Sequence, residues 1–240
     1  MTGKTAIVTG GSRGIGRAVV ERLAADGATV VFSYATDRTA AERLRAGLGD
    51  RVHAVRADLA DPAQVERIFT TADEHFDHLD VLVNNAGVPS HAPITDVAET
   101  DYDRIMAVNA KGTFLAIQHA ARRMREGGRI VNVSSMSTAY ATPGEAVYAA
   151  SKAAVEQFTR VAAKELGPRG ITVNAVAPGP TDTDLLRAAV PAEQLTATAA
   201  MIPLGRLGLP ADIAGVVAVL TGPDSGWITG ATVSATGGLV

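Results

Sequence analysis

Short apolar runs alternate with longer stretches of helical period along most of the chain, and no other property of the sequence restricts the fold as much. Runs read as strands cover 5–8, 28–34, 52–57, 81–83, 128–134 and 171–177, with a last one at 231–235. Between them, over 17–25, 39–48, 62–76, 100–124, 147–166 and 211–220, apolar residues return at the three-to-four spacing of a helix that buries one side. Strands that are apolar throughout must be covered on both faces, and strand-helix alternation supplies the cover. The predicted fold class is α/β: a doubly wound parallel sheet of about seven strands with helices on both faces.

No linker, repeat or low-complexity tract divides residues 1–240, so a single domain is expected. Between Pro178 and Pro210 the alternation lapses into a Pro- and Thr-rich stretch with a short helix at 184–189. A segment of that length without regular structure is usually functional, and 184–210 is read as a substrate loop or lid. The absence of cysteine excludes disulfides, thiolate catalysis and Cys-ligated metal. His75 and His78, near Asp77 and Asp80, read as a solvated helix end, and no metal is expected. The net charge is −3, and the densest basic cluster, Arg122-Arg123-Met124-Arg125, suits a helix C-terminus better than nucleic acid. The first strand leaves no room for a signal peptide, and no window approaches ~18 uninterrupted apolar residues. A cytoplasmic protein without membrane or nucleic-acid partners is the expectation.

Ligands of open parallel sheets bind at the C-terminal ends of the strands, so the residues delivered there carry the functional reading. The first strand runs into Thr9-Gly10-Gly11-Ser12-Arg13-Gly14-Ile15-Gly16 and then a helix. Glycines 10, 14 and 16 would let backbone N–H groups approach a pyrophosphate at a helix N-terminus, whose dipole favours negative charge. The third strand delivers Asp58-Leu59, a carboxylate placed either to accept from an exocyclic amine or to cap the helix that begins at Asp61-Pro62. The fourth delivers Asn84-Asn85-Ala86-Gly87, residue types that also suit a turn for backbone reasons alone. The fifth delivers Ser134-Ser135, followed by Tyr148-Ala149-Ala150-Ser151-Lys152. On a helix, Tyr148 and Lys152 share one side, so a phenol and an ammonium can address one site, and a nearby cation favours the phenolate.

Together, Thr9-Gly10, Gly14-Ile15-Gly16, Asn84-Asn85-Ala86-Gly87, Asn109, Ser135, Tyr148, Lys152 and Pro178-Gly179 resemble, in order and over essentially the whole chain, the classical short-chain dehydrogenase/reductase family. The texture is nearest its 3-oxoacyl-[acyl-carrier-protein] reductase-like members. The resemblance implies a Rossmann-like fold and reversible hydride transfer between a nicotinamide dinucleotide and a carbonyl/alcohol pair. It implies Tyr148 as general acid/base and Ser135 as the group polarising the carbonyl oxygen. Lys152 would hold the nicotinamide ribose and depress the Tyr148 pKa, and Asn109 would anchor a proton-relaying water. Implied cofactor contacts are Gly10, Ser12, Arg13, Gly14, Ile15 and Gly16 around the pyrophosphate, Asp58 and Leu59 at adenine, and Asn85, Ala86 and Gly87 beside the ribose. Pro178, Gly179, Thr181 and Thr183 would lie along the carboxamide and phosphates. Ser134 would point to the other side of its strand.

NAD-linked members usually end the second strand with an acid, and Phe32-Ser33-Tyr34-Ala35-Thr36 has none. Arg13 could pair with a 2′-phosphate and Ser33 could donate to it, so NADPH is the expected cofactor. Met136, Thr138, Tyr140 and Pro143 are expected to shape the substrate pocket, and His91 to border it. Leu185, Leu186, Val190, Leu195, Met201 and Ile202 would give it an apolar lid, compatible with a β-ketoacyl thioester, a cyclic ketone or a quinone. Ala116, Ala120 and Ala121 on one helix, and Ala149, Ala153 and Ala154 on another, could let subunits approach closely, and family analogy implies a homotetramer. The alternatives are an NAD-linked alcohol or sugar dehydrogenase of the same fold and a non-catalytic dinucleotide sensor.

Overall fold

The computed structural model describes the backbone of residues 1–240 and every side chain except that of residue 189. Its strands are β1 (Thr5–Thr9), β2 (Thr29–Tyr34), β3 (Val52–Arg56), β4 (Leu79–Asn84), β5 (Met124–Val133), β6 (Thr172–Pro178) and β7 (Thr232–Ala235). The α-helices are α1 (Gly14–Ala25), α2 (Arg38–Leu48), α3 (Pro62–Asp73), α4 (Glu99–Ile105), α5 (Thr113–Arg123), α6 (Ala146–Leu166), α7 (Asp184–Ala189), α8 (Ala192–Met201) and α9 (Pro210–Thr221). The strands form one seven-stranded sheet in the order β3-β2-β1-β4-β5-β6-β7, parallel at every pairing. This is the expected doubly wound, Rossmann-like α/β arrangement.

Because side chains alternate across a strand, each continuous apolar run feeds two cores. Ala6 and Val8 of β1 and Val30 and Phe32 of β2 pack with Val19, Val20 and Leu23 of α1 and Ile213 and Val217 of α9. Ile7 and Val31, one position out of phase, join Val65, Ile68 and Phe69 of α3 and Ile117 of α5 on the opposite face. Asp61, with Pro62 at the first helical position, accepts Ala63 N–H at 3.0 Å and starts α3.

Four local expectations need correction. The long helix read over 100–124 is interrupted by π-helical turns at Met106–Gly112, which carry Asn109. Gly112 there packs so closely that a Cβ would lie 2.8 Å from both the side chain and the carbonyl of Leu59. The stretch treated as irregular beyond 189 contains α8, a helix with no buried residue among those described. β5 begins at Met124 rather than 128, through a register shift against β4 between Leu79 and Val81. Finally, Ala116 and Ala120 are fully buried inside the core of this chain, so they are not available to a neighbouring subunit. Among the described residues no helix is long and apolar enough to cross a membrane.

Candidate active site

Chain order reverses between β1 and β4: connections from β1 run toward β2, those from β4 toward β5. Diverging loops open a crevice at that point, and a cleft of about 650 Å³ occupies it. Its lining includes every residue expected to contact the cofactor, together with Ser135, Tyr148 and Lys152. Of the expected site residues only Asn109 stands behind the wall.

The glycine turn owes its shape to neighbouring protein atoms. Gly10 and Gly14 hold φ of +67° and +53°, a region open chiefly to glycine. A Cβ on Gly16 would sit 2.2 Å from the Gly10 carbonyl oxygen, and one on Gly10 would sit 2.9 Å from Ala86 Cα. Asn85, read from sequence as a ribose contact, ties this turn to the end of β4. Its Nδ2 donates to the carbonyls of Thr9 and Gly10, both at 3.0 Å, while Thr9 Oγ1 accepts the N–H groups of Asn85 and Ala86 at 3.0 and 3.1 Å. Ser33 Oγ accepts Gly10 N–H at 3.2 Å from the third side. Beyond the turn, Arg13 precedes α1 and gives it no side-chain cap. The first turn of α1, Gly14 to Gly16, lines the cleft with no side chain capping its N–H groups, a setting suited to an anion.

Asp58 does not cap α3, a role Asp61 fills, and its carboxylate lines the cleft with partners of its own. Its Oδ1 accepts Ala60 N–H at 3.0 Å as a local turn, and Arg104 Nη1 donates to both its oxygens at 2.9 and 2.8 Å. Burial alone would push this carboxyl up, but the Ala60 N–H and the Arg104 guanidinium together hold it below the usual range. Thr183 caps α7, accepting Leu186 N–H at 3.2 Å, and Thr181 donates to Gly179 O at 2.9 Å, both at the cleft edge.

The reactive groups sit on the opposite wall. Tyr148 and Lys152 lie one turn apart on α6, and the ammonium is 5.7 Å from the centre of the Tyr148 ring. Lys152 is buried and donates to Val133 O at 2.8 Å, and burial lowers its pKa to about 8. The expected depression of Tyr148 by Lys152 is not what the site produces. Burial pushes the phenol up, the Ser135 hydroxyl draws it partly back, and the Glu145 carboxylate pushes it up further. Asn109 Oδ1 accepts Val88 N–H at 2.8 Å, while its Nδ2 donates to Val88 O and Ser151 Oγ at 2.9 and 3.0 Å. The amide thus pins the loop after β4 to α6, with one oxygen lone pair left over. Ser134 points away, as expected, donating to Glu156 at 2.8 Å.

The remaining pocket residues divide. Met136, Tyr140, His91, Leu185, Leu186, Val190, Leu195 and Met201 line the cleft. Thr138 does not, because its hydroxyl bonds Ser135 O and Glu156, and Ile202 is buried in the body beside Gly237. Pro143 also stays outside the lining. Sequence reasoning missed Arg104, Ser137 and Glu145. Glu145 carries a readable signal, lying three residues before Tyr148 and so on the same side of the helix start.

A family model described as enoyl-(acyl carrier protein) reductase matches residues 10–240. The hydroxynaphthalene reductase-like protein Arp2 of Metarhizium majus is 42% identical over 256 aligned positions, covering 100% of this chain and 96% of the relative. Among solved structures, a short-chain dehydrogenase/reductase from Serratia marcescens superposes with a TM-score of 0.94 at 45% identity, covering 99% of this chain and 98% of that one. A blue fluorescent protein from a metagenomic library, solved in complex with NADPH, gives 0.95 at 44% identity, covering 100% and 98%.

Proposed function

The chain belongs to the short-chain dehydrogenase/reductase family, oxidoreductases of the alcohol/carbonyl pair, and from that membership we propose that it reversibly reduces a ketone or aldehyde with NADPH. The observation that carries the reading is the convergence of Ser135, Tyr148 and Lys152 on the cleft floored by the glycine turn.

The residues present fit a dinucleotide. The uncapped N-terminus of α1 offers N–H groups and dipole to a pyrophosphate. Arg13 beside it is exposed and, among the described residues, has no ion-pair partner. Asp37, the acid nearest the end of β2, is engaged in capping α2, accepting Ala40 N–H at 2.9 Å. A cation and the Ser33 hydroxyl, without a competing acid, support a cofactor bearing a 2′-phosphate, and the NADPH of the metagenomic relative agrees. Lys152 has two N–H groups beyond the one bonded to Val133 with which to hold ribose hydroxyls.

When bound, the nicotinamide supplies the hydride. Tyr148 gives its proton to the substrate oxygen, and burial keeps the phenol protonated at neutral pH, the form that reduction needs. Ser135 hydrogen-bonds the same oxygen and polarises the carbonyl. The wall contributed by α7 and α8 is mainly apolar, with Leu185, Leu186, Leu195 and Met201 beside the polar Asp184 and Thr198, which supports a largely apolar carbonyl substrate such as a cyclic ketone, a quinone or a β-ketoacyl thioester. The relative named for hydroxynaphthalene reduction favours ring compounds. Within one domain of residues 1–240, segment 184–210 acts as the substrate-facing lid. Family analogy supports a homotetramer, and light scattering that returned the mass of one chain would overturn it.

NADPH oxidation against a panel of ketones tests the activity, with NADH in parallel. Catalytic efficiency with NADH equal to or above that with NADPH overturns the cofactor preference. Tyr148→Phe should abolish turnover and preserve NADPH binding; a fully active Y148F removes Tyr148 from the mechanism.

A further inference from the structure

Glu145 sets a carboxylate in the cleft lining beside the reactive groups, and neither the fold nor the proposed chemistry gives it a task. We propose that Glu145 and His91 form a second anchor for the substrate, one that takes a hydroxyl, so that the substrate is a ring ketone carrying a hydroxyl group apart from its carbonyl. This rests on the reading of Ser135 and Tyr148 as the place of the carbonyl.

The carboxylate is fixed from one side and open on the other. Ser137 Oγ donates to Glu145 Oε2 at 2.6 Å, and the Glu145 side chain is 17% exposed. Glu145 precedes α6 without a side-chain capping bond, and its Oε1 accepts no hydrogen bond among the described residues. A largely buried carboxylate oxygen without a donor is costly, and a donor on the ligand offsets that cost. His91, also in the lining, is held close by the backbone: Ala92 N–H donates to Gly144 O at 3.0 Å, where Gly144 turns with φ of +86°.

The gap between the two side chains selects the group that fills it. His91 Nδ1 and Glu145 Oε1 stand 3.9 Å apart, beyond hydrogen-bond reach, so they do not satisfy each other. A hydroxyl oxygen between them donates to the carboxylate and accepts from the imidazole N–H. A ketone or ether oxygen only accepts and would turn a lone pair toward the carboxylate. An ammonium would bring its charge among Met136, Leu185, Leu186 and Leu195.

The position of the hydroxyl on the substrate is limited too. Ser137 Oγ lies 3.0 Å from Ser135 Oγ and 2.6 Å from Glu145 Oε2, so the anchor is two hydrogen bonds away from the group that polarises the carbonyl. A compact ring skeleton spans that separation with its carbonyl oxygen at Ser135 and its hydroxyl at Glu145. Met136, Leu185 and Leu195 in the lining suit its apolar faces.

The test compares 1-tetralone, its isomers with one hydroxyl on the aromatic ring, and the methyl ethers of those isomers, on wild type, E145Q, E145A and H91F, with thermal unfolding as a folding control. Two quantities are read as ratios between compounds on the same protein: kcat/KM for reduction by NADPH, and Kd in the presence of NADP+, where no reduction occurs. In wild type at least one hydroxyl isomer should exceed 1-tetralone by about tenfold or more in both, the effect of a hydrogen bond to a charged group. Its methyl ether, which cannot donate, should fall to the level of 1-tetralone or below. E145Q and E145A should shrink the hydroxyl preference to about threefold or less, and H91F should lower it in part. Hydroxyl isomers that all match their methyl ethers in wild type, or a preference kept in full by folded E145Q and E145A, overturn the anchor. A preference kept in full by H91F alone overturns the share given to His91. If no ketone is reduced, the carbonyl-reductase reading fails on its own, and the Kd ratios still decide for or against the anchor.

Discussion

Replacing Lys152 by Met should make the protein more stable at neutral pH while abolishing turnover. The Lys152 ammonium is 4% exposed and donates to the carbonyl of Val133. Burial lowers its pKa from 10.5 to about 8. With each unit equivalent to about 1.4 kcal/mol, keeping that proton in the folded state costs roughly 3 kcal/mol relative to the unfolded chain. The cost is complete below pH 8, where both states bind the proton, shrinks between 8 and 10.5, and vanishes above. Met keeps an unbranched apolar stem but leaves the Val133 carbonyl without this partner, a loss of about 1–2 kcal/mol. The balance is a gain of about 1–2 kcal/mol at pH 7, equivalent to roughly 2–8 °C in Tm for a chain of this length. Above pH 10.5 the sign should reverse, because only the orphaned carbonyl remains. Urea unfolding of wild type and K152M at pH 7 and pH 11, at one protein concentration, measures both. A K152M less stable than wild type at pH 7, or a difference that does not change with pH, would refute the reasoning.

Three further outcomes follow from the site. The kcat/KM for carbonyl reduction should fall as pH rises through about 8, as the Lys152 ammonium discharges, while Tyr148, held above its ordinary range by burial, stays mostly protonated; alcohol oxidation should gain with pH as the minor phenolate fraction grows. Initial rates in both directions from pH 6 to 10 check this, and a reduction profile flat to pH 9.5 contradicts it. Arg13→Ala should raise the KM for NADPH by about tenfold or more, the scale of a charge-assisted hydrogen bond, with the KM for NADH nearly unchanged; equal effects on both cofactors would remove Arg13 from 2′-phosphate recognition. Gly16→Ala drives a methyl to 2.2 Å from the Gly10 carbonyl oxygen, so it should destabilise the fold by about 1–3 kcal/mol and weaken NADPH binding, measured by thermal unfolding and titration calorimetry.

The sheet was legible because continuous apolar runs such as Ala6-Ile7-Val8 and Val30-Val31-Phe32 have one use in an α/β fold, feeding a core on each face. The π-helical turns were not, since Met106–Gly112 contains no Pro and keeps helical hydrophobicity. What widens there is backbone, held by the Asn109 bonds to Val88 and Ser151, residues far away in sequence. Helix α8 escaped because it buries nothing and so leaves no apolar stripe to read. At the site, helical spacing put Tyr148 and Lys152 on one side and the family resemblance added Ser135, but partner choice did not follow from either. Asn85 turned inward to the glycine turn, Asp58 found Arg104, and Ser137 found Glu145, each bond decided by packing between separate segments.

The bonds from Asn85 to Thr9 and Gly10 also have a dynamic consequence. Loops that leave a sheet in opposite directions are free to breathe apart, and the floor of a crevice between them would flicker open on the timescale of local unfolding. A side chain that bridges both loops closes the floor into a hydrogen-bonded ring, so its two walls fluctuate as one body. The amide protons of Asn85 and Ala86, both held by Thr9 Oγ1, should then exchange as slowly as those of the central strands, far more slowly than those of α8. Ordering on ligand entry is left to the roof of the cleft, and the entropy of assembling its floor is already lost when the chain folds.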